Sequence, residues 1–151
     1  MSTFEIRRIT AEETIPLRHA ILRAGLPRET AIFPGDEAKT SLHFGAFADG
    51  QLVGVATMHF VPLLDRPDFD AAYQVRGMAT APEARGLGAG RALVEACIAA
   101  ARDAGAQWLW CNARTPAAGF YARHGFKTTG GVFEVHTAGP HVRMLRPLEG
   151  V

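Results

Sequence analysis

Glycines at positions 86, 88 and 90 alternate with Leu87 and Ala89, and the run is bracketed by Arg85 and Arg91. Glycine here removes the Cβ atoms that would hold a ligand away from the backbone, and it allows the φ values that a tight strand-to-helix turn needs. An extended run ends near Thr80, and an Ala/Leu-rich helical pattern follows from Arg91. The amides of the loop therefore fall at a helix N-terminus, where unsatisfied N–H groups and about half a unit of positive dipole charge favour phosphate oxygens. Arg85 and Arg91 add full charges. The chemistry this spacing suits is the holding of a pyrophosphate; the other reading of the same glycines is a tight turn with no ligand.

Spacing separates the known phosphate loops. A Walker loop ends in Gly-Lys-Ser/Thr, whereas Gly90 is followed by Arg91 and Ala92. A dinucleotide fingerprint fits only in part: Gly86-x-Gly88 would require glycine or alanine at Arg91, and the unit would be expected early in a repeating βαβ chain.

The longer run Val75-Arg76-Gly77-Met78-Ala79-Thr80-Ala81-Pro82-Glu83-Ala84-Arg85-Gly86-Leu87-Gly88-Ala89-Gly90 resembles the cofactor motif of the GNAT superfamily of acyl-CoA-dependent N-acetyltransferases. Arg85, Gly88 and Gly90 match its Arg/Gln-x-x-Gly-x-Gly/Ala segment. A second block, Ala117 to Phe126, with Phe120-Tyr121 followed by Gly125-Phe126, is similar to the family's later helix. The overall pattern of resemblance runs from about Phe4 to Leu148, with only these two blocks specific. The resemblance implies a mixed, mostly antiparallel α/β sheet flanked by helices, with a bulged strand near Gly77 and the pyrophosphate loop at 85–90. It implies acetyl-CoA as cosubstrate, contacted by Met78, Ala79 and Thr80 along the strand, by Arg85, Gly86, Leu87, Gly88, Ala89, Gly90 and Arg91 in the loop, and by Arg114 and Tyr121. In that scheme the backbone N–H of Met78 stabilises the oxyanion, and the phenol of Tyr121 gives a proton or hydrogen bond to the thiolate of CoA. A phenol with a reference pKa of about 10 keeps its proton at neutral pH and can give it to a leaving sulfur. The bland alternative for Tyr121 is a ring packed on the sheet. Arg114 is a departure: many members have asparagine there, and Asn112 comes too early to replace it. Arg114 is left to meet a phosphate, an acceptor carboxylate or solvent.

Composition supports a small enzyme. A chain of 151 residues, 48% hydrophobic and 21% charged, can bury a sizeable core and has no linker, so a single domain over 1–151 is expected. The net charge of +1 gives little global attraction for nucleic acid or membrane. No apolar run approaches the roughly 20 residues of a membrane span, and the start Met1-Ser2-Thr3-Phe4-Glu5 lacks a signal-peptide stretch, which points to the cytoplasm. Cys97 and Cys111 form no C-x-x-C pair, so no metal is expected. Cys97 lies on the apolar stripe of its helix, and nothing near Cys111 suggests an activated thiolate.

The elements that must position these groups follow from periodicity. A short strand over Phe4–Ile9 leads to a helix capped by Thr10 with Glu13 completing the box, continuing through Leu17, Ala20, Ile21 and Ala24 until Gly25 and Pro27. Residues 25–40 carry no clear pattern. Strands over about 43–48 and 52–61 flank Asp49-Gly50, the chemistry of a hairpin turn. A loop with Leu63, Leu64, Asp65, Arg66 and Pro67 leads to a strand over about 71–80, in which Gly77 marks a bulge. A helix over about 87–104 ends at Gly105, a strand holds Trp108 to Trp110, a short helix spans 116–124, and strands over 126–135 and 141–145 close the chain.

Transfer to an amine also needs a base. Glu134, His141, His59 and Tyr73 are candidates. Glu134 stands inside the apolar run Val132 to Val135, where burial would raise its pKa; the other reading for each of these candidates is an outward-facing strand position. His141 follows Gly139-Pro140 and suits proton transfer, or equally braces a backbone carbonyl. For the acceptor, His19, Arg23, Arg28, Asp36 and Glu37 are the polar candidates: the arginines would grip a carboxylate or phosphate, the acids a cationic amine. The reading is an N-acetyltransferase acting on a small-molecule or peptide amine by direct attack in a ternary complex. A CoA-binding regulatory module and a nucleotide-binding protein of another fold are the alternatives. Members of the family are often dimers, and no interface pattern in the chain identifies a homodimer.

Overall fold

The computed structural model describes residues 4–61, 71–136 and 138–148. The strands are β1 (Glu5–Arg8), β2 (Leu42–Ala48), β3 (Gln51–Phe60), β4 (Ala72–Thr80), β5 (Trp108–Arg114), β6 (Lys127–Val135) and β7 (Gly139–Pro147). The helices are α1 (Ala11–Leu17), α2 (Ala89–Asp103) and α3 (Ala118–Ala122). The strands hydrogen-bond in the order β1-β2-β3-β4-β5-β7-β6. The pairs β1–β2, β2–β3, β5–β7 and β6–β7 are antiparallel, and β4–β5 is parallel. This is the mixed, mostly antiparallel α/β fold that the resemblance implies. The expected loop through Leu63, Asp65 and Pro67 lies outside the described residues. The chain divides into two compact units, residues 1–59 with 75–97 and residues 60–74 with 98–151.

In the first unit, the helix start is as expected. The Glu13 N–H donates to Thr10 Oγ1 at 3.2 Å, and the Thr10 N–H donates to Glu13 Oε1 at 2.8 Å. The helix does not run on regularly to Gly25. Pro16 supplies no N–H to the ladder, α1 stops at Leu17, and Arg18–Leu22 form a wider π turn in which the Arg23 N–H reaches the Arg18 carbonyl at 3.2 Å.

Arg18 on this turn is completely buried. Its Nη1 donates to the Ala31 carbonyl at 2.9 Å and to Asp36 Oδ2 at 2.6 Å; its Nη2 donates to Asp36 Oδ1 at 3.1 Å and to Thr57 Oγ1 at 2.7 Å. Asp36 also accepts from the Phe33 N–H and from His59 Nε2, each at 2.9 Å. His43 closes the network, with Nε2 2.8 Å from the Asp36 carbonyl and Nδ1 2.8 Å from Thr57 Oγ1. A carbonyl only accepts, so His43 carries its hydrogen on Nε2, and in the neutral ring Nδ1 takes the Thr57 hydroxyl. The network holds the patternless segment 25–40, whose only helical piece is the 3-10 turn Arg28–Ala31.

The β2–β3 hairpin turns at Asp49 and Gly50, both left-handed with φ of 51° and 81°, between the paired Ala48 and Gln51. Val53, Ala81 and Ala84 form a small apolar cluster backed by Phe4, Leu17 and Ala48.

In the second unit, β4 and β5 pair from Ala72–Gln74 to Trp108–Trp110. Trp110 is anchored by its Nε1, which donates to the Val61 carbonyl at 2.9 Å, and it packs with Ala72 and Leu145. α2 ends in a Schellman motif: Gly105, at φ +79°, donates to the Arg102 carbonyl at 2.9 Å, and the Ala106 N–H donates to the Ala101 carbonyl at 3.0 Å. The β6–β7 register slips between Thr129 and Phe133, and the intervening Gly130, Gly131 and Val132 are exposed.

Burial by itself would raise the pKa of Asp36, but hydrogen bonds from His59, Arg18 and the Phe33 amide, together with the Arg18 charge, hold it well below the usual carboxylate range. Asp36→Asn strands a buried guanidinium, and urea denaturation is expected to show a loss of about 3–5 kcal/mol. A depressed folded pKa gives stability that is fully present above the unfolded value of about 3.9 and lost as pH falls through the folded one. Acid titration of stability should therefore fall more steeply below about pH 4 in the native protein than in Asp36→Asn.

Candidate active site

Loop 85–88 is exposed and runs from a 3-10 turn over Pro82–Ala84 into α2. Gly86 and Gly88 have φ of +77° and +103°. A Cβ on Gly86 would meet nothing within 4 Å, and one on Gly88 would meet only Phe4 Cε2 at 3.9 Å, so internal crowding does not demand glycine at either position. The left-handed backbone does, and the open space leaves room for a ligand to approach it. The amides of Gly86 and Gly88 donate to no backbone carbonyl among the described residues, while Leu87 N–H is spent on the Ala84 carbonyl at 3.3 Å. α2 begins at Ala89 with no acidic residue in its first turn, so the N–H groups of Ala89, Gly90 and Arg91 add to the row of donors. Ala89 itself is buried and anchors the helix start. Arg85 is exposed; Arg91 lies outward and bonds Glu95 at 3.2 Å, which offsets part of its charge. The arrangement fits a pyrophosphate: unspent amides, two positions open to close approach, and positive dipole.

Upstream on β4, Gly77 has φ +63°, which breaks the strand's pleat where the sequence expects a bulge. A Cβ there would lie 2.7 Å from Arg18 Nε and 3.1 Å from Phe33 Cε2, so position 77 excludes any side chain. Met78 and Thr80 are half-buried and Ala79 is buried. The Ala81 N–H donates to the Val53 carbonyl at 2.8 Å and fixes the end of the strand.

In the second unit, Tyr121 is buried on α3, its ring edge-on to Phe120 at 5.1 Å and to Phe126 at 5.3 Å. Arg114 and His141 are register partners across β5–β7, and Phe133 faces His141 across β6–β7. His141 is buried, with Nδ1 2.9 Å from the Gly139 carbonyl. That bond places the ring hydrogen on Nδ1 and leaves the lone pair of the neutral ring on Nε2. Glu134 is exposed on β6, in an outward-facing strand position: the slip at Gly130–Val132 leaves this edge strand largely uncovered. Tyr73 is buried edge-on to Phe60 at 5.1 Å. Burial pushes the Cys97 and Cys111 thiols up to about 12, consistent with small buried hydrophobes.

The acceptor candidates separate sharply. Arg28 forms an exposed pair with Glu12 at 2.6 Å, and His19 Nε2 bonds the Leu26 carbonyl at 2.6 Å. Glu37 is exposed. Asp36 is no lure for a cationic amine, because it is buried and its charge is met by Arg18. Sequence reasoning missed Arg18 and gave Arg76 no role. Arg18 sits beside Leu17 and His19 in a helical pattern and reads as solvated. The available signal was His43 with Thr57 and His59, polar residues inside apolar strands, the last two on one face of β3.

The chain matches the family model described as the Acetyltransferase (GNAT) family over residues 6–126. It is 36% identical over 146 residues to the uncharacterized N-acetyltransferase YitI of Bacillus subtilis (strain 168), covering 95% of this chain and 96% of that protein. Its fold is similar to that of Escherichia coli ElaA, with a TM-score of 0.77 at 19% identity over 95% of this chain and 99% of that one. It is also similar to the Escherichia coli ribosomal-protein-S18-alanine N-acetyltransferase, with a TM-score of 0.72 at 20% identity over 99% of each chain. On this match and this relative, the chain belongs to the GNAT acetyltransferase family.

Proposed function

We propose that this acyltransferase, working as one catalytic domain, moves an acetyl group from acetyl-CoA to a primary amine by direct attack within a ternary complex. The observation that carries the reading is the row of unspent amides at Gly86, Gly88 and the start of α2, aligned with left-handed glycines. Arg85, which is exposed, supplies a full charge for the same phosphates, and Arg114 a second contact to the cosubstrate.

Each step has a residue. The acceptor attacks as a neutral amine, so its nitrogen must lose a proton to a base. His141 suits this role because its Nδ1 bond to Gly139 leaves Nε2 as the accepting atom; exposed Glu134 would act only through water. As the N–C bond forms, the Met78 N–H beside the kink at Gly77 meets the charge growing on the carbonyl oxygen. As the C–S bond breaks, the Tyr121 phenol gives its proton to sulfur. No protein nucleophile is needed, in keeping with the buried thiols of Cys97 and Cys111. The acceptor is a small-molecule or peptide amine.

Calorimetry with acetyl-CoA, CoA, ATP and NAD is the first test; saturable binding confined to the CoA ligands is expected, and tight ATP or NAD binding alone would overturn the proposal. Gly88→Leu should weaken acetyl-CoA binding by about tenfold or more, near 1.4 kcal/mol. Tyr121→Phe should lower kcat by roughly 10²-fold with little change in acetyl-CoA affinity; an unchanged kcat would remove the proton-donor role.

A further inference from the structure

Three guanidinium groups surround the buried ring of Phe33. Their Cζ atoms lie 4.1 Å (Arg18), 4.4 Å (Arg76) and 5.3 Å (Arg23) from its centroid. Asp36 is the carboxylate that pairs with Arg18, and it is already saturated. Its Oδ2 takes Arg18 Nη1 and the Phe33 N–H, and its Oδ1 takes Arg18 Nη2 and His59 Nε2. His43 and His59 add no negative charge.

Between Arg18 and Arg76, Asp36 therefore neutralises one charge of two among the described residues. Guanidinium groups do not relieve such crowding by losing a proton. Burial first, and then the Arg18 charge, push the Arg76 guanidinium below its ordinary value; Asp36 opposes this, and Arg23 adds to it. No carboxylate pairs with Arg76 among the described residues. One donor is also left over in the interior: Arg18 Nε is buried without a hydrogen-bond partner, facing the space that a Cβ on Gly77 would fill. Both observations fall beside the broken stretch of β4, one residue before Met78.

We infer that Arg76, backed by Arg18 across Phe33, binds an anionic group on the amine acceptor, so that the enzyme selects amines that also carry a carboxylate or phosphate. The inference rests on the N-acetyltransferase reading above. A planar guanidinium that no described carboxylate pairs offers two parallel N–H donors to such an oxyanion, and bidentate pairing of this kind fixes orientation as well as affinity. Stacking on Phe33 holds the Arg76 side chain in place before the acceptor arrives, which lowers the entropy lost on binding. A cationic polyamine would meet this cluster as a like charge.

The test pairs each of several α-amino acids with its carboxamide, and phosphoethanolamine with ethanolamine, and follows thiol release with acetyl-CoA. For the preferred acid, kcat/KM is expected to exceed that of its neutral partner by about 10–100-fold, mostly through KM. Which pair shows the larger ratio tells carboxylate from phosphate. Arg76→Gln should bring the ratio toward one, Arg76→Lys should keep part of it, and Arg28→Gln, whose partner is Glu12, should keep it whole. If Arg76→Gln does not fold, judged by acetyl-CoA calorimetry, Arg76→Lys against Arg28→Gln decides. Equal use of acids and neutral amines, or an unchanged ratio in the Arg76 variants, overturns the inference and leaves acetyl transfer standing. Should acetyl-CoA bind while no amine releases thiol, direct transfer fails instead. Calorimetric titration of the same pairs into the acetyl-CoA complex then decides the inference: tighter acids uphold it, and no preference overturns it.

Discussion

A guanidinium with no access to water must find its partners inside the protein or cost several kcal/mol. Arg18 finds them in three places distant from itself in sequence: the Ala31 carbonyl, Asp36, and Thr57 on β3. Those bonds tie an irregular segment with almost no helix of its own to the sheet. They also set what lies beside β4, since Arg18 Nε and Phe33 occupy the ground that any side chain at position 77 would need. The left-handed kink before Met78 is thus enforced from behind by an ion network, as well as permitted by glycine.

The charges that matter to this protein are local. The net charge of +1 gives no hint of them. Around the 85–91 loop the positive potential comes from backbone dipoles and unspent amides, with arginine as a supplement. Around Phe33 it comes from side chains held rigid by stacking and burial. In the roles proposed above, these would be two different ways to bind an oxyanion. The first admits close approach by a phosphate group because the glycines leave open space. The second is crowded, and it suits a small terminal acid group.

Much of this was legible in the sequence wherever a local rule governs. The capping box at Thr10 and Glu13, the Asp49-Gly50 hairpin and the glycine stop at Gly105 each depend on neighbours within a few residues, and each forms as read. Gly86 and Gly88 adopt the positive φ that the tight turn needs, while Gly90 falls within α2. What could not be read depends on distant residues meeting. Asp36 in a patternless stretch looks like a surface acid until Arg18, at the π turn, arrives to neutralise it. Glu134, flanked by Val132, Phe133 and Val135, reads either way, because burial belongs to the sheet's edge and not to the run: an irregular register leaves apolar Val132 itself exposed at 65%. The two histidines inside apolar strands were visible, yet their roles follow from carbonyls and carboxylates that only the fold supplies.

The irregularity in β6 has a consequence of another kind. β6 is the last strand in the order, and an outermost strand offers its free N–H and C=O groups as a template to any other chain. Here the template is spoiled midway. The slip between Thr129 and Phe133, with two glycines in it, puts the two halves of the strand out of phase, and Lys127 sets a charge at its start. A flat strand docking along this border would match one half and miss the other, so the same defect that uncovers Glu134 guards the sheet against growing by sticking to its neighbours.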